Sequence, residues 1–135
     1  SRELDGFVIT RLQSAILAEA FKLVADDICG VGDIDAAVAE GLGMRWFFMG
    51  PMETIDLNAP GGIADYCDKL GPMYQELAKE QAAVRPWTKD LVGKIESQRR
   101  RFLPESQLAE RRAWRDRCLA ALAAAKRQVG DEYGR

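Results

Sequence analysis

Helical periodicity, interrupted by glycine and proline at a few points, is the feature that most narrows what this chain can fold into. Over about 7–28, Val8, Leu12, Ile16, Ala20, Leu23 and Val24 recur at the spacing of one helical face, while Arg11, Ser14, Lys22 and Asp26 trace a polar stripe. Asp5 is a candidate N-cap, and Gly30 with Gly32 ends the element. At about 1.5 Å per residue such a helix is roughly 30 Å long, enough to act as a spine. A shorter helix is predicted over 33–40, with Asp33 and Asp35 near its N-terminal dipole and Gly41 and Gly43 breaking it. Pro51 suits the first position of a helix over 51–57, because its missing N–H has no partner there in any case.

Pro60-Gly61-Gly62 resets the chain before a helix over 63–70, and Gly71-Pro72 marks a break before another that runs to 81. Arg85-Pro86-Trp87 is a third break, with Thr88 as cap for a helix through 98. The last helix starts near Pro104 or Ser106 and runs to 129, where Lys126 and Arg127 suit the dipole and Gly130 stops it, leaving a frayed tail. No stretch alternates as a strand does. The fold class expected is all-α: one long helix with shorter helices packed on it.

At 135 residues the chain suits one domain, large enough to bury a core without metals or disulfides. A net charge of −2 and the lack of a long basic tail argue against a nucleic-acid footprint. The arginines at 99–101, 111, 112, 115 and 117 are interleaved with Glu96, Glu105, Glu110 and Asp116, so a solvated, salt-bridged surface is expected there. No apolar run approaches the ~20 residues needed to span a bilayer, and the first residues show no signal-peptide pattern. Cys29, Cys67 and Cys118 form no CxxC pair and fit reduced thiols in a cytoplasmic protein. Most restrictive is the count of histidines, which is zero. Without imidazole the chain holds neither the usual general base near neutral pH nor the commonest metal ligand.

Against that background, residues 40–62 are unusual: Arg45 stands directly before Trp46, Phe47 and Phe48, and Gly50-Pro51 then turns the chain. Three consecutive aromatics cannot all face one core from a short segment. Some fill the gap between helices, and the rest line a cleft or meet a second subunit, where aromatics are enriched. The reading adopted is a rigid elbow that presents Arg45 at a domain edge. An arginine there either binds a carboxylate, for which its planar fork is suited, or pairs with Glu40 or Glu53. Glu19, beside the apolar stripe of the first helix, is expected to pair with a basic group. Glu53 and Asn58 stay ambiguous. Trp114, Cys118, Leu119, Leu122 and Val129 give the last helix an apolar side that must pack on its own domain or on a twin.

GFVITRLQSAILAEAFKLV, then GDIDAAVAEGLGMRW, then MGPMETIDLN, in that order, resembles the C-terminal domain of the 3-hydroxyacyl-CoA dehydrogenase family. GLGMR and the late RRAWRDRCLAALAAAKRQ look most like its lambda-crystallin / L-gulonate 3-dehydrogenase branch, and the likeness covers roughly residues 4–129. It implies a helical domain of the 6-phosphogluconate dehydrogenase C-terminal-like type. In such enzymes an N-terminal Rossmann domain binds NAD and supplies a catalytic His–Glu pair, while the helical domain closes the substrate cleft and forms most of a homodimer. Residues 1–135 are then a single domain of a longer polypeptide, with no catalytic residue, NAD site or metal of their own. The absence of histidine and of a GxGxxG turn agrees with this.

The resemblance also suggests substrate-binding residues. Thr10 occupies the place in GFVITRL where relatives usually carry Asn against the reacting oxygen; it keeps a hydroxyl but no amide donor, and a plain surface threonine is the alternative. Arg45 is implied in holding a sugar-acid carboxylate, and Trp46, Phe47, Phe48 and Trp114 are dimer or cleft candidates. The function expected is the substrate-cleft and dimerisation domain of an NAD-dependent 3-hydroxy-acid or 3-hydroxyacyl-CoA dehydrogenase. The alternative is a helical self-association module of lambda-crystallin type with no catalytic role.

Overall fold

A computed structural model describes residues 8–133, with side chains through 130, so Asp5 and the first residues of the GFVITRL motif lie outside the described residues. Every regular element among the described residues is helical: α1 (Val8–Ala25), α2 (Val31–Ala36), a π-helical turn (Ala37–Leu42), α3 (Gly43–Trp46), α4 (Pro51–Leu57), α5 (Gly62–Gln81), α6 (Lys89–Phe102), a 3-10 turn (Glu105–Gln107) and α7 (Leu108–Tyr133). The chain is all-α, as its periodicity predicts. It divides into two compact units, residues 1–98 and 99–135.

In the first unit, the end of α1, the start of α2 and the start of α6 meet. Val24, Val31 and Leu91 are buried together, with Phe21, Ala25, Ile34 and Ile95 packed around them. Burial contributes about 1.5–3 kcal/mol for each such side chain. Ring stacking and polar contacts hold the same junction. The Phe21 and Trp87 rings stack with centroids 4.0 Å apart, and Arg85 donates to Asp26 at 2.8 Å. Gln98, on α6, accepts a hydrogen bond from the Val31 N–H at 3.0 Å. That satisfies one of the amides left unpaired at the start of a helix, while Asp33 accepts from the Gly30 N–H at 2.9 Å.

Helix α1 stops at Ala25, before the glycines expected to end it. The Ile28 N–H bonds the Leu23 carbonyl at 3.0 Å and the Asp27 N–H bonds the Val24 carbonyl at 3.3 Å, the pattern of a Schellman cap. Asp27 takes the left-handed position at φ 55°, a place usually given to glycine. Lys94 explains how an aspartate is held there: its ammonium donates to the Val24 carbonyl at 2.7 Å and to the Asp27 carboxylate at 2.6 Å.

Other boundaries also depart from the sequence reading. Gly41 and Gly43 do not break the helix begun at Val31, which widens by one turn and runs on to Trp46. The Gly43 N–H reaches back to the Val38 carbonyl, five residues earlier, and a Cβ at Gly43 would lie only 2.9 Å from that oxygen. The glycine accommodates a wide turn instead of ending a helix. Pro72 likewise sits inside α5 rather than at a break. Proline forfeits one backbone bond and clashes with the β-carbon of the residue before it; here that residue is Gly71, which has none. Helix α5 has no side-chain cap of its own, but the Ile63 N–H donates to Asp56 of α4 at 2.8 Å.

Thr88 caps α6 as expected, accepting the Leu91 N–H at 3.2 Å, and α6 extends to Phe102. In the second unit, α7 passes through Gly130 to Tyr133, correcting the predicted stop and the helical part of the predicted fray. A helical glycine costs about 1 kcal/mol, too little to end a helix unaided. The larger correction concerns the core. Val8, Leu12 and Ile16 of the α1 stripe are 71%, 54% and 38% exposed, and Val24 alone of that stripe is buried. The core expected of a self-sufficient domain is therefore small, and apolar faces are left open.

Candidate functional site

Arg45 lies in the last turn of α3, where a cation complements the helix dipole, and its side chain is exposed. The ion pairs seen among the described residues leave it out, so the proposed pairing with Glu40 or Glu53 is not what positions it. The aromatic trio follows at once. Phe47 and Phe48 meet edge to face, centroids 4.8 Å apart and planes at 83°, with Trp46 and Phe47 half-buried and Phe48 exposed. Gly50 and Pro51 then start α4, and the buried Thr54 hydroxyl donates to the Gly50 carbonyl at 2.9 Å, closing its first turn. Glu53 is half-buried on that turn; Asn58, just past its end, is exposed.

Helix α3 packs on α4, and α4 on α5. On α5 the Tyr66 and Tyr74 hydroxyls are hydrogen-bonded at 2.8 Å, their rings stacked at 6.3 Å. The bond to Tyr74 holds the Tyr66 phenol above its ordinary pKa, desolvation adds to this, and the positive charge of Arg45 acts on it in the opposite sense. The sequence reading passed over both tyrosines. Their signal is faint: a pair eight residues apart on either side of Gly71-Pro72, which only an unbroken helix brings together.

Thr10 is exposed on the first turn of α1, and no hydrogen bond of its hydroxyl is seen among the described residues. Among the described residues no hydrogen bond or ion pair is seen to join it to Arg45. Between α1 and the helix begun at Val31 lies a groove of about 760 Å³, whose walls include Ile16, Leu23, Ile34, Val38 and Leu42, with Glu19 and Cys29 among the few polar groups. Glu19 is half-buried there and makes no ion pair among the described residues, contrary to expectation. In the second unit Trp114 is 43% exposed, and the Arg111 guanidinium lies 3.5 Å above its ring. Arg115 pairs with its neighbour Asp116 at 2.8 Å, part of the mixed-charge surface the sequence suggested. Among the described residues no three His, Cys, Asp or Glu side chains gather as a metal site would require, and no helix is long and apolar enough to cross a membrane.

Comparison with known proteins gives a consistent picture. The model of the 3-hydroxyacyl-CoA dehydrogenase C-terminal domain matches residues 6–102. Lambda-crystallin of Oryctolagus cuniculus is 40% identical over 130 residues, covering 95% of this chain and 40% of that protein. L-carnitine dehydrogenase of Streptomyces griseus is 40% identical over 89 residues, 65% of this chain and 24% of that protein. A 3-hydroxyacyl-CoA dehydrogenase of Gibberella moniliformis is 38% identical over 93 residues, 67% of this chain and 26% of that protein. The chain thus spans well under half the length of these relatives. With the match over 6–102 carrying the elbow, Arg45 and the tyrosine pair, the chain belongs to the 3-hydroxyacyl-CoA dehydrogenase C-terminal domain family.

Proposed function

We propose that this chain is the substrate-cleft and dimerisation domain of an NAD-dependent 3-hydroxy-acid dehydrogenase, of which an N-terminal Rossmann domain forms the remainder. The reaction is hydride transfer from C3 of the hydroxy acid to nicotinamide. The proton acceptor belongs to the other domain, since this chain has no histidine. Arg45 binds the substrate carboxylate. The observation that carries this role is its exposed guanidinium, outside the ion pairs of the described residues, on an elbow anchored by half-buried rings. A carboxylate gains charge-assisted, bidentate bonds from such a group that an uncharged acyl thioester does not. Homodimerisation through the open apolar faces and a cytoplasmic location belong to the same reading.

In the full-length protein, Arg45→Ala should weaken hydroxy-acid binding at least tenfold while leaving NAD affinity within about twofold, given the ~1.5–3 kcal/mol attached to hydrogen bonds with charged groups. Equal losses for both ligands would reject the role. The 135 residues alone should show no turnover. Thr10, which lacks an amide donor, favours a second reading as a non-catalytic self-association module. A full-length protein that binds NAD yet oxidises neither a hydroxy acid nor a hydroxyacyl thioester would support that reading.

A further inference from the structure

Tyr66 and Tyr74 stand eight positions apart on α5, about 12 Å along a helix at 1.5 Å per residue, yet their hydroxyls meet at 2.8 Å. Each side chain therefore leans along the axis toward the other, and the stacked rings, 6.3 Å apart with planes at 23°, hold both hydroxyls at one point. Two phenols bring two protons. One is used between them, so the pair keeps one O–H to donate and lone pairs to accept, whichever ring is the donor. That is the complement of an alcohol. Tyr66 is half-buried and Tyr74 is 48% exposed, so an incoming hydroxyl has access. Arg45 stands on α3, which packs on α4 as α4 packs on α5, and its charge acts on the Tyr66 phenol, so the carboxylate receptor and the alcohol receptor belong to the same set of packed helices.

We propose that Tyr66 and Tyr74 are specificity-determining residues, which favour acids carrying further hydroxyl groups over acids that lack them. The inference rests on the reading of Arg45 as the carboxylate anchor and extends it: the arginine fixes one end of the substrate, and the phenol pair reads a neutral hydroxyl beyond it. A purely structural role is the competing account, because the pair straddles Pro72, where α5 lacks a backbone hydrogen bond. The two accounts differ in what they affect. A clasp that steadies the helix changes stability without distinguishing between ligands.

The test uses the NAD-loaded full-length protein and two probes, L-gulonate and 3-hydroxybutyrate, with dissociation constants measured by calorimetry and melting followed by circular dichroism. In wild type, L-gulonate binds more tightly. Y66F and Y74F each reduce the preference, expressed as the ratio of the two dissociation constants, by about three- to tenfold, the size of one hydrogen bond to a partly exposed site. An unchanged ratio in both variants overturns the proposal, whether or not melting shifts, and leaves Arg45 standing if R45A weakens both acids. Failure of wild type to bind either acid removes the Arg45 reading and the proposal with it.

Discussion

Lys94 makes two contacts at the end of α1, and the two are not equal. Asp27 is 83% exposed on its side-chain surface, so the ion pair with it is screened and contributes little. The Val24 carbonyl belongs to a buried residue and takes only a long bond, 3.3 Å, from the Asp27 N–H; the ammonium adds a charge-assisted bond at 2.7 Å. Lys94→Ala should therefore lower stability by about 1–2 kcal/mol in urea denaturation. Asp27→Asn, which keeps a side chain tolerant of the left-handed region, should cost under about 0.5 kcal/mol. Equal costs would show that the ion pair carries the cap. Asp26, beside it, is held below the usual carboxylate range, first by its hydrogen bond from Lys22 and also by the charge of Arg85. Its folded pKa is depressed, so its contribution is complete above the unfolded carboxylate value and is lost as pH falls through the folded one. Asp65 behaves alike through Lys69 and the Gly61 amide. Urea midpoints should be level near neutrality and fall below about pH 4; Asp26→Asn should flatten that fall, and an unchanged slope would exclude Asp26 as a source.

Glycine means different things along the helices, and identity alone does not reveal which. At Gly41 an added Cβ meets nothing within 4 Å, whereas at Gly43 it meets the Val38 carbonyl at 2.9 Å. Gly41→Ala should accordingly stabilise the isolated protein by about 0.5–1 kcal/mol through lost freedom in the unfolded chain. Gly43→Ala should destabilise it by about 1–3 kcal/mol, since backbone must move. Thermal melts of the two variants shifting in the same direction would contradict the wide turn. This contrast shows where sequence reading stops. Proline at the first turn of α4 and threonine at the cap of α6 were legible because each acts through its own neighbours. The continuity of α2 into α3, the passage of α5 through Pro72 and the Asp27 cap were not, because each depends on an atom brought from elsewhere or on one that is missing. The candidate site divides in the same way. Arg45 and its aromatic neighbours stand together in the sequence, whereas the tyrosine pair exists only once α5 is unbroken.

Taken whole, the chain offers more apolar face than it covers. Val8 and Ile9 on the first turn of α1 are 71% and 79% exposed, and Leu12, one turn on, is 54% exposed. Trp114, Leu119 and Leu122 repeat the pattern on α7 in the other unit. The 130-residue match to lambda-crystallin necessarily reaches into α7, beyond the family model's end at 102, so the exposed face of that helix lies in sequence shared with such relatives. An amphipathic helix gains most of its stability from what its apolar face packs on, and burying one such side chain is worth about 1.5–3 kcal/mol. An uncovered α1 should therefore open readily in the 135-residue protein. In the full-length protein, where the proposed first domain and a second copy are both present, hydrogen exchange of the α1 amides should slow by at least tenfold, as even one newly buried side chain allows. Dilution separates the two covers. Protection from the first domain is independent of concentration, while protection from a second copy fades as the dimer dissociates. Exchange equally fast in both proteins at every concentration would mean that the open face of α1 is not an interface, and the domain's place in a larger dehydrogenase would have to be argued from α3 to α5 alone.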